Sequence, residues 1–463
     1  MPDSSRRDFL KSAGIGVAAL ALHGRCASAA PAPQPNVVFL LGDDLRPDGL
    51  RALGNAVVKT PNLDAIVERG TIFRNAYTMG SMIGAVCVPS RTMILTGRSL
   101  FRAQGRASGT DPATFTFPRA MKDAGYATVH SGKFGNSPRA ITNEFDETSD
   151  PGDAGQVADR IVDFIQRKAG KQPLFVYMAG HEPHDPQHAT DEFYAMYRPE
   201  DIPLPAAFAP WHPFNNGEMT VRDERTLPWP RTRESVTRKL ARYYASVSYL
   251  DAQFGRVVKA LKDAGQYENT IFAIAGDNGL SLGEHGLLGK QNLYEFGGMH
   301  VPLVFAGPGI PKRETPALVY LSDIFPTVCQ LTGARRSGNV EGLSLAPVLR
   351  GEAPKVRDWM FTAYGHVQRA VTDGRWKLIR YPRIDKTQLF DLQQDPHETN
   401  DLAGRPESAA KVSELMAKLA ELQKSFADPT PLTVANPSPP EWSPRDVPPK
   451  GPPRKAKGKQ LAK

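Results

Sequence analysis

The chain has 463 residues, 40% of them hydrophobic and 23% charged, the balance of a globular protein long enough for one large domain plus a smaller one, or two modest domains. No run approaches the roughly 18 consecutive apolar residues of a bilayer span, so no membrane span is expected. The formal net charge of +8 is carried by the ends: residues 1–29 hold four Lys/Arg against two acids, and the stretch from Pro429 holds seven against two. The body between them is close to neutral, which argues against nucleic-acid binding by a folded domain.

At the start, Arg6 and Arg7 lie within Ser5-Arg6-Arg7-Asp8-Phe9-Leu10-Lys11, followed by an apolar run from Ala13 to Leu22 and by the small residues Ala27, Ser28 and Ala29. This is the pattern of a twin-arginine export signal, cleaved after Ala29. It implies the twin-arginine (Tat) export machinery as a partner and a periplasmic or extracellular destination. An amphipathic helix would explain neither the paired arginines nor the small-residue end.

Residues 36–41 form a continuous β-branched and apolar run, the mark of a strand buried on both faces, and it stops at Gly42-Asp43-Asp44. Thr60-Pro61 opens a short helix through Ile66, and residues 71–77 return as a strand. A helix is expected over 117–124, ending at Gly125, then a strand over 126–130. Val157, Ile161, Phe164 and Ile165 form the apolar stripe of another helix before a strand over 174–178. A long helical pattern fills 234–264, and strands over 270–275 and 303–306 follow. Strands alternating with helices predict an α/β domain with a parallel-rich sheet between helices over 30–350. Polar residues just after strand ends (Asp43, Lys133, His181, Asp277) stand where an open α/β sheet places its ligand site. Residues 351–428 read as a smaller antiparallel α+β subdomain closed by a helix. Residues 429–463, with Pro-Ser-Pro-Pro, Val-Pro-Pro-Lys and Gly-Pro-Pro-Arg, read as a disordered basic tail.

Only three cysteines occur, and Cys26 falls in the export signal. Cys329 sits in the apolar helical pattern of Ile324, Val328 and Leu331 and reads as a small buried residue. Cys87 begins Cys87-Val88-Pro89-Ser90-Arg91, ahead of a helical stretch over 92–95, so it is expected at or just before a helix N-terminus. Free amides and the positive end of the helix dipole face any anion bound there. Arg91 falls one turn on, on the same side. Taken alone, such a cysteine is either a thiolate nucleophile or a buried apolar residue.

The Cys-x-Pro-Ser-Arg segment resembles the signature of the type I, formylglycine-dependent sulfatases of the alkaline-phosphatase-like superfamily. Matching blocks run in order through residues 36–44, 60–64, 95–98, 276–279, 282–294 and 389–402. Gly283-Glu284-His285-Gly286 and Asp43-Asp44-Leu45-Arg46-Pro47 are closest to iduronate- and choline-sulfatase-like members. The resemblance implies an alkaline-phosphatase-like fold and hydrolysis of sulfate esters, on a carbohydrate or small ester. It implies a formylglycine nucleophile made from Cys87 by the formylglycine-generating enzyme. Asp43, Asp44, Asp277 and Asn278 are the implied metal ligands; their oxygen donors suit Ca²⁺, with Mg²⁺ the alternative. Lys133 and Lys290 are implied to hold the sulfate oxygens, Arg91 to orient the nucleophile, and His184 to protonate the leaving alcohol. His181 and His285 are expected to bind substrate.

Two positions depart from the family pattern. Gly135 stands where relatives carry a histidine that touches the nucleophile; Asn136, His130, His181 and His285 are the candidates to replace it. His300 stands where relatives often carry arginine, and is expected to alter the substrate rim. Trp211, Phe214 and Trp229, in the long loop 187–230, are either a sugar platform or anchors for that loop. Two other activities fit the same motifs: hydrolysis of phosphonate or phosphate monoesters with the same nucleophile, and binding of sulfated glycans without cleavage.

Overall fold

In a computed structural model of the chain, the described residues are 34–103, 115–336 and 338–444. The export signal and the last nineteen residues lie outside them. The described strands are β1 (Asn36–Gly42), β2 (Thr71–Tyr77), β3 (Gly80–Ser81), β4 (Ala127–Gly132), β5 (Glu147–Ser149), β6 (Leu174–Ala179), β7 (Thr270–Gly276), β8 (His300–Ala306), β9 (Arg313–Tyr320), β10 (Met360–Tyr364), β11 (Gln368–Thr372), β12 (Trp376–Tyr381) and β13 (Lys386–Asp391).

Eight strands form one sheet in the order β5-β4-β6-β1-β7-β8-β2-β9. All its pairs are parallel except those of β8, which runs against both β7 and β2. The reversal follows from the connection: residues 277–299 join β7 to β8 without a helix to carry the chain back across the sheet. Side chains of β1 alternate between two cores, as the two-residue period of a strand requires. Val38 and Leu40 pack with the helices Pro61–Val67, Ala154–Lys168 and Arg233–Asp263. Val37, Phe39 and Leu41 pack with Phe117–Asp123 and Ile324–Thr332. The 31-residue helix Arg233–Asp263 starts on a capping box between Thr232 and Ser235. No described helix is long and apolar enough to cross a membrane.

A second, five-stranded sheet runs β13-β12-β11-β10-β3. Its C-terminal strands are antiparallel, but β3 comes from the first part of the chain and pairs parallel to β10. Glycine is required at that joint, because Gly80 has φ +122° and a Cβ there would lie 1.8 Å from the Ala363 carbonyl oxygen. The helix Ala409–Ser425 covers this sheet with Leu415 and Leu419.

Three features differ from the sequence-based expectation. The strand β9 is not foreseen: Arg-Glu-Thr-Pro-Ala-Leu-Val-Tyr is half polar, which an edge strand with one exposed flank tolerates. The helix at the signature starts at Cys87 itself, the N-terminus expected for it, and so is longer than the stretch 92–95 read from the sequence. Residues 429–444 are packed rather than free: Thr430 is buried, the Trp442 ring meets Trp229 edge-on at 5.5 Å, and its indole N–H donates to the His212 carbonyl. A lone tryptophan and a few backbone bonds pin a proline-rich stretch that forms no helix or strand.

Candidate active site

The register of the central sheet assembles the site. Gly42 pairs with Gly276 on adjacent parallel strands, so the chain leaves both at the same level and sets Asp43-Asp44 beside Asp277-Asn278. The Asp277 amide donates to the Gly42 carbonyl at 2.9 Å, and the Asp44 amide to Asp277 Oδ1 at 3.0 Å. Asp44 takes φ +67°, a left-handed conformation that aspartate accepts more readily than most residues. From the other side, the helix Cys87–Thr96 points its first residue at these acids. Cys87 is 2% exposed; its Sγ lies 3.2 Å from Asp43 Oδ1 and 3.2 Å from Asn278 Oδ1.

Cations complete the cluster. Arg91, one turn after Cys87, donates from Nε to Asp277 Oδ2 at 2.9 Å and places Nη2 3.4 Å from Asp43 Oδ2. Lys290 Nζ lies 2.6 Å from Asp44 Oδ1 and 3.1 Å from Cys87 Sγ. Lys133, just past β4, reaches Asp43 Oδ2 at 3.0 Å, and Asn136 Nδ2 donates to the same oxygen at 2.8 Å. His184, past β6, points Nε2 toward Asp44 Oδ2 at 3.8 Å.

The electrostatics are those of a site built around opposite charges. Burial opposes ionisation of Asp43, but Arg91, His184, Lys133 and Lys290 outweigh it and hold this carboxyl well below the usual range. Asp277 goes the other way: burial first, then Asp43, push it up to about 6 despite Arg91. Burial also disfavours the charge on Lys290, yet Asp44 and its neighbours hold it well above the ordinary lysine value. The Cys87 thiol is pushed well up, by burial and then by Asp277 and Asp43, so as a plain thiol it stays protonated. Asp43, Asp44, Cys87 and His184 offer ligand atoms within 4.8 Å of one another. With Asp277 and the Asn278 amide oxygen alongside, the set is dominated by oxygen. A hard divalent cation fits such a set.

The comparisons agree with this chemistry. The sulfatase family model matches residues 35–334, and the model for the C-terminal region of N-sulphoglucosamine sulphohydrolase matches residues 283–425. The chain belongs to the sulfatase family. It is accordingly a hydrolase of sulfate esters. This sulfatase is 25% identical to an arylsulfatase of Clostridium perfringens, over 82% of this chain and 93% of the relative. It is 25% identical to an N-acetylglucosamine-6-O-sulfatase of Bacteroides thetaiotaomicron, over 86% and 88%. It is 29% identical to the human iduronate 2-sulfatase, over 69% and 68%. Two solved structures share the fold with a TM-score of 0.71. One is BT4656 with its substrate D-glucosamine-2-N,6-O-disulfate, 22% identical over 86% of this chain and 99% of that one. The other is a phosphonate monoester hydrolase from Silicibacter pomeroyi, 23% identical over 86% and 96%.

The sulfatase brings together most of the residues singled out in the sequence: Asp43, Asp44, Cys87, Arg91, Lys133, His184, Asp277, Asn278 and Lys290. The remaining histidines lie elsewhere. His285 stacks on Tyr294 with ring centres 3.9 Å apart and lines a cavity of about 570 Å³ that none of the cluster residues lines. His181 turns its Nε2 to Asp150 at 3.2 Å. His300 is tied into a network instead of the acid cluster: Nε2 donates to the Arg74 carbonyl and Nδ1 lies 2.9 Å from Glu295, which also meets Tyr77 and Lys377. His130 is buried between Phe134 and Tyr177, and burial with Arg91 and Arg139 lowers it to about 3. Of the four candidates to replace the histidine missing at Gly135, only Asn136 meets the cluster with its side chain, and an amide orients rather than takes a proton; His181 meets it through its backbone carbonyl, which accepts from the His184 amide at 3.0 Å. Gly135 itself is exposed, and a Cβ there would meet nothing within 4 Å.

Cys329 is a free, buried thiol on Ile324–Thr332, unpaired with Cys87. In the long loop, Phe214 is buried and Trp229 packs under Arg231 and Trp442, so both anchor it; Trp211 is 53% exposed. That loop also carries Arg222 and Asp223, which reach the edge of the site through Asp185 and Gln291. Nothing in the sequence beyond their charge marks these two, because their partners are set by how the loop folds back.

Proposed function

We propose that this sulfatase cleaves sulfate esters on a carbohydrate with Cys87, oxidised to formylglycine, as its nucleophile. The observation that carries this reading is the setting of Cys87, a protonated thiol at a helix start with Lys290 and two acid loops converging on it. A thiolate nucleophile is disfavoured there, whereas an oxidised side chain fits. Hydrated, such an aldehyde would supply two hydroxyls on one carbon, one to attack sulfur as the sulfur–alcohol oxygen bond breaks and one whose proton, once lost, would let the aldehyde re-form as sulfate leaves.

The chain's own residues supply the rest. Lys290 and Lys133 neutralise the sulfate oxygens as compact charges. Arg91, locked between Asp277 and Asp43, holds the acid loops against the start of the helix. His184 Nε2 delivers a proton to the departing alcohol oxygen. Asp43, Asp44, Asp277 and Asn278 would hold a divalent cation, Ca²⁺ in our reading, which would draw charge from a sulfate oxygen and make the attacking hydroxyl more acidic. A carbohydrate substrate is supported by the relatives named as N-acetylglucosamine-6-O- and iduronate 2-sulfatases. The paired arginines at residues 6 and 7 support export by the twin-arginine route.

Mass measurement of the Cys87 peptide from active protein tests the nucleophile: the expected result is loss of the thiol and gain of an aldehyde. An unmodified thiol in active material would overturn it. Turnover of a panel of sulfated saccharides, beside aryl sulfate and aryl phosphate, tests the substrate. Faster turnover of the phosphate would replace this reading with phosphomonoester hydrolysis.

A further inference from the structure

His184 is held by its neighbour in sequence. Its Nδ1 lies 2.6 Å from the Asp185 carbonyl oxygen and 3.3 Å from the Asp185 carboxylate. A carbonyl only accepts, so Nδ1 carries a hydrogen and the ring presents Nε2 to the cluster. The Asp185 carboxylate is itself gripped from the long loop: Arg222 Nη2 lies 2.8 Å from Asp185 Oδ1. The same Nη2 is shared with Asp223, whose Oδ1 lies 2.7 Å from it and 2.8 Å from Nε. Asp223 accepts from Gln291 Nε2 at 2.8 Å, and Gln291 adjoins Lys290. Arg222 thus ties the segment bearing the histidine to the segment bearing a sulfate-binding lysine.

Arg222 keeps 58% of its side chain exposed, and Asp185 keeps 25%. An ion pair so open to water adds little to stability. What it does is geometric. Without Arg222 the Asp185 carboxylate is free to turn outward, and the imidazole keeps only one of its two Nδ1 partners. A ring that swings by a fraction of an ångström still binds substrate but delivers its proton poorly.

We propose that Asp185, clamped by Arg222, is a positioning residue that aims His184 at the leaving-group oxygen, and that through it the long loop 187–230 sets which sulfate esters are cleaved fast. The inference rests on the reading of His184 as the proton donor.

A series of sulfate esters from nitrophenyl to alkyl leaving groups tests it, because proton donation matters more the poorer the leaving group. The proteins are wild type, His184→Ala, Asp185→Ala, Asp185→Asn, Arg222→Met and Arg222→Lys, each checked for an unchanged thermal midpoint. Asp185→Ala and Arg222→Met are expected to lose about tenfold in kcat on alkyl esters and less than about twofold on nitrophenyl sulfate, with KM unchanged. Asp185→Asn and Arg222→Lys should recover part of the loss. Should Asp185→Ala fail to fold, Arg222→Met carries the test, since its side chain is largely exposed. An equal loss across all leaving groups would overturn positioning in favour of a structural role. A KM rise confined to esters bearing a second anion would overturn it in favour of direct substrate contact by Arg222. If His184→Ala alone shows the leaving-group dependence, only the positioning role fails. If His184→Ala shows none, the proton-donor reading falls with it.

Discussion

Replacing Lys290 by methionine removes one charge from a place where both ground state and transition state need it. The ammonium is 3% exposed, 2.6 Å from Asp44 and 3.1 Å from the nucleophile position. Deleting one preorganised donor from an anion site costs about 3–4 kcal/mol of transition-state stabilisation. For Lys290→Met this means a fall in kcat/KM of about 10²–10³-fold on nitrophenyl sulfate. Stability should suffer less. Breaking a buried ion pair costs about 3–5 kcal/mol, but Asp44 keeps the Asn278 amide at 2.7 Å, which puts the loss at the lower end. In a protein of this size that is a shift of the thermal midpoint of about 3 °C. The assay is steady-state turnover beside a melting curve on the same sample. Turnover within about threefold of wild type, in folded protein, would remove Lys290 from the sulfate site. Collapse of the fold would show instead that its charge serves the core.

Exhaustive chelation should abolish turnover and lower the melting point, since a ligand that binds only the folded state is then lost; calcium should restore both, and at 100 times its dissociation constant it adds about 2.7 kcal/mol. Turnover that survives chelation would rule out a metal role for Asp43, Asp44, Asp277 and Asn278. His130 is neutral in the fold, at about 3, against about 6.5 when unfolded. The unfolded chain therefore binds the extra proton first, and stability falls as pH drops below about 6.5, by about 2 kcal/mol on reaching pH 5. His130→Phe should flatten that loss in melting curves at pH 7.5 and 5; an unchanged pH dependence would refute it. Gly135→His should leave the melting point within about 2 °C, as surface changes usually do, because a side chain there meets open space; loss of folded protein would contradict the geometry.

The acid loops are legible in the amino-acid sequence because a buried apolar run that ends in Gly42-Asp43 or Gly276-Asp277 has few fates other than a strand whose end faces a site. The register that sets them side by side, Gly42 against Gly276, follows from strand order, which hydrophobic pattern alone does not encode. The direction of β8 is hidden for the same reason: its residues look alike in either orientation. That His285 stands apart from the acid cluster is not legible in the sequence, because the loop 281–299 winds around itself, with Ser281 bonded to Gly289 and Gly298 to Asn292. Lys290 comes out facing the nucleophile while His285, five residues earlier, ends on Tyr294. Arg222 lies at the far end of a loop without periodicity, and only tertiary packing brings it to Asp185. The packed stretch 429–444 is obscured by composition, since proline and charge outvote a single tryptophan.

The burial of Cys87 also sets an order of events in time. Its sulfur lies under Asp43, Asn278 and Lys290, on the first turn of a helix whose remaining residues are mostly enclosed. A modifying enzyme has to reach that sulfur, and in the finished fold the sulfur is covered even though Ile83, Gly84 and Ala85 just before it stay exposed. The oxidation we propose therefore has to outrun folding: newly made chain that closes too quickly is trapped as an inert thiol. The fraction of active protein then becomes a kinetic competition between maturation and collapse, which slower synthesis or a lower temperature should tilt toward the mature form.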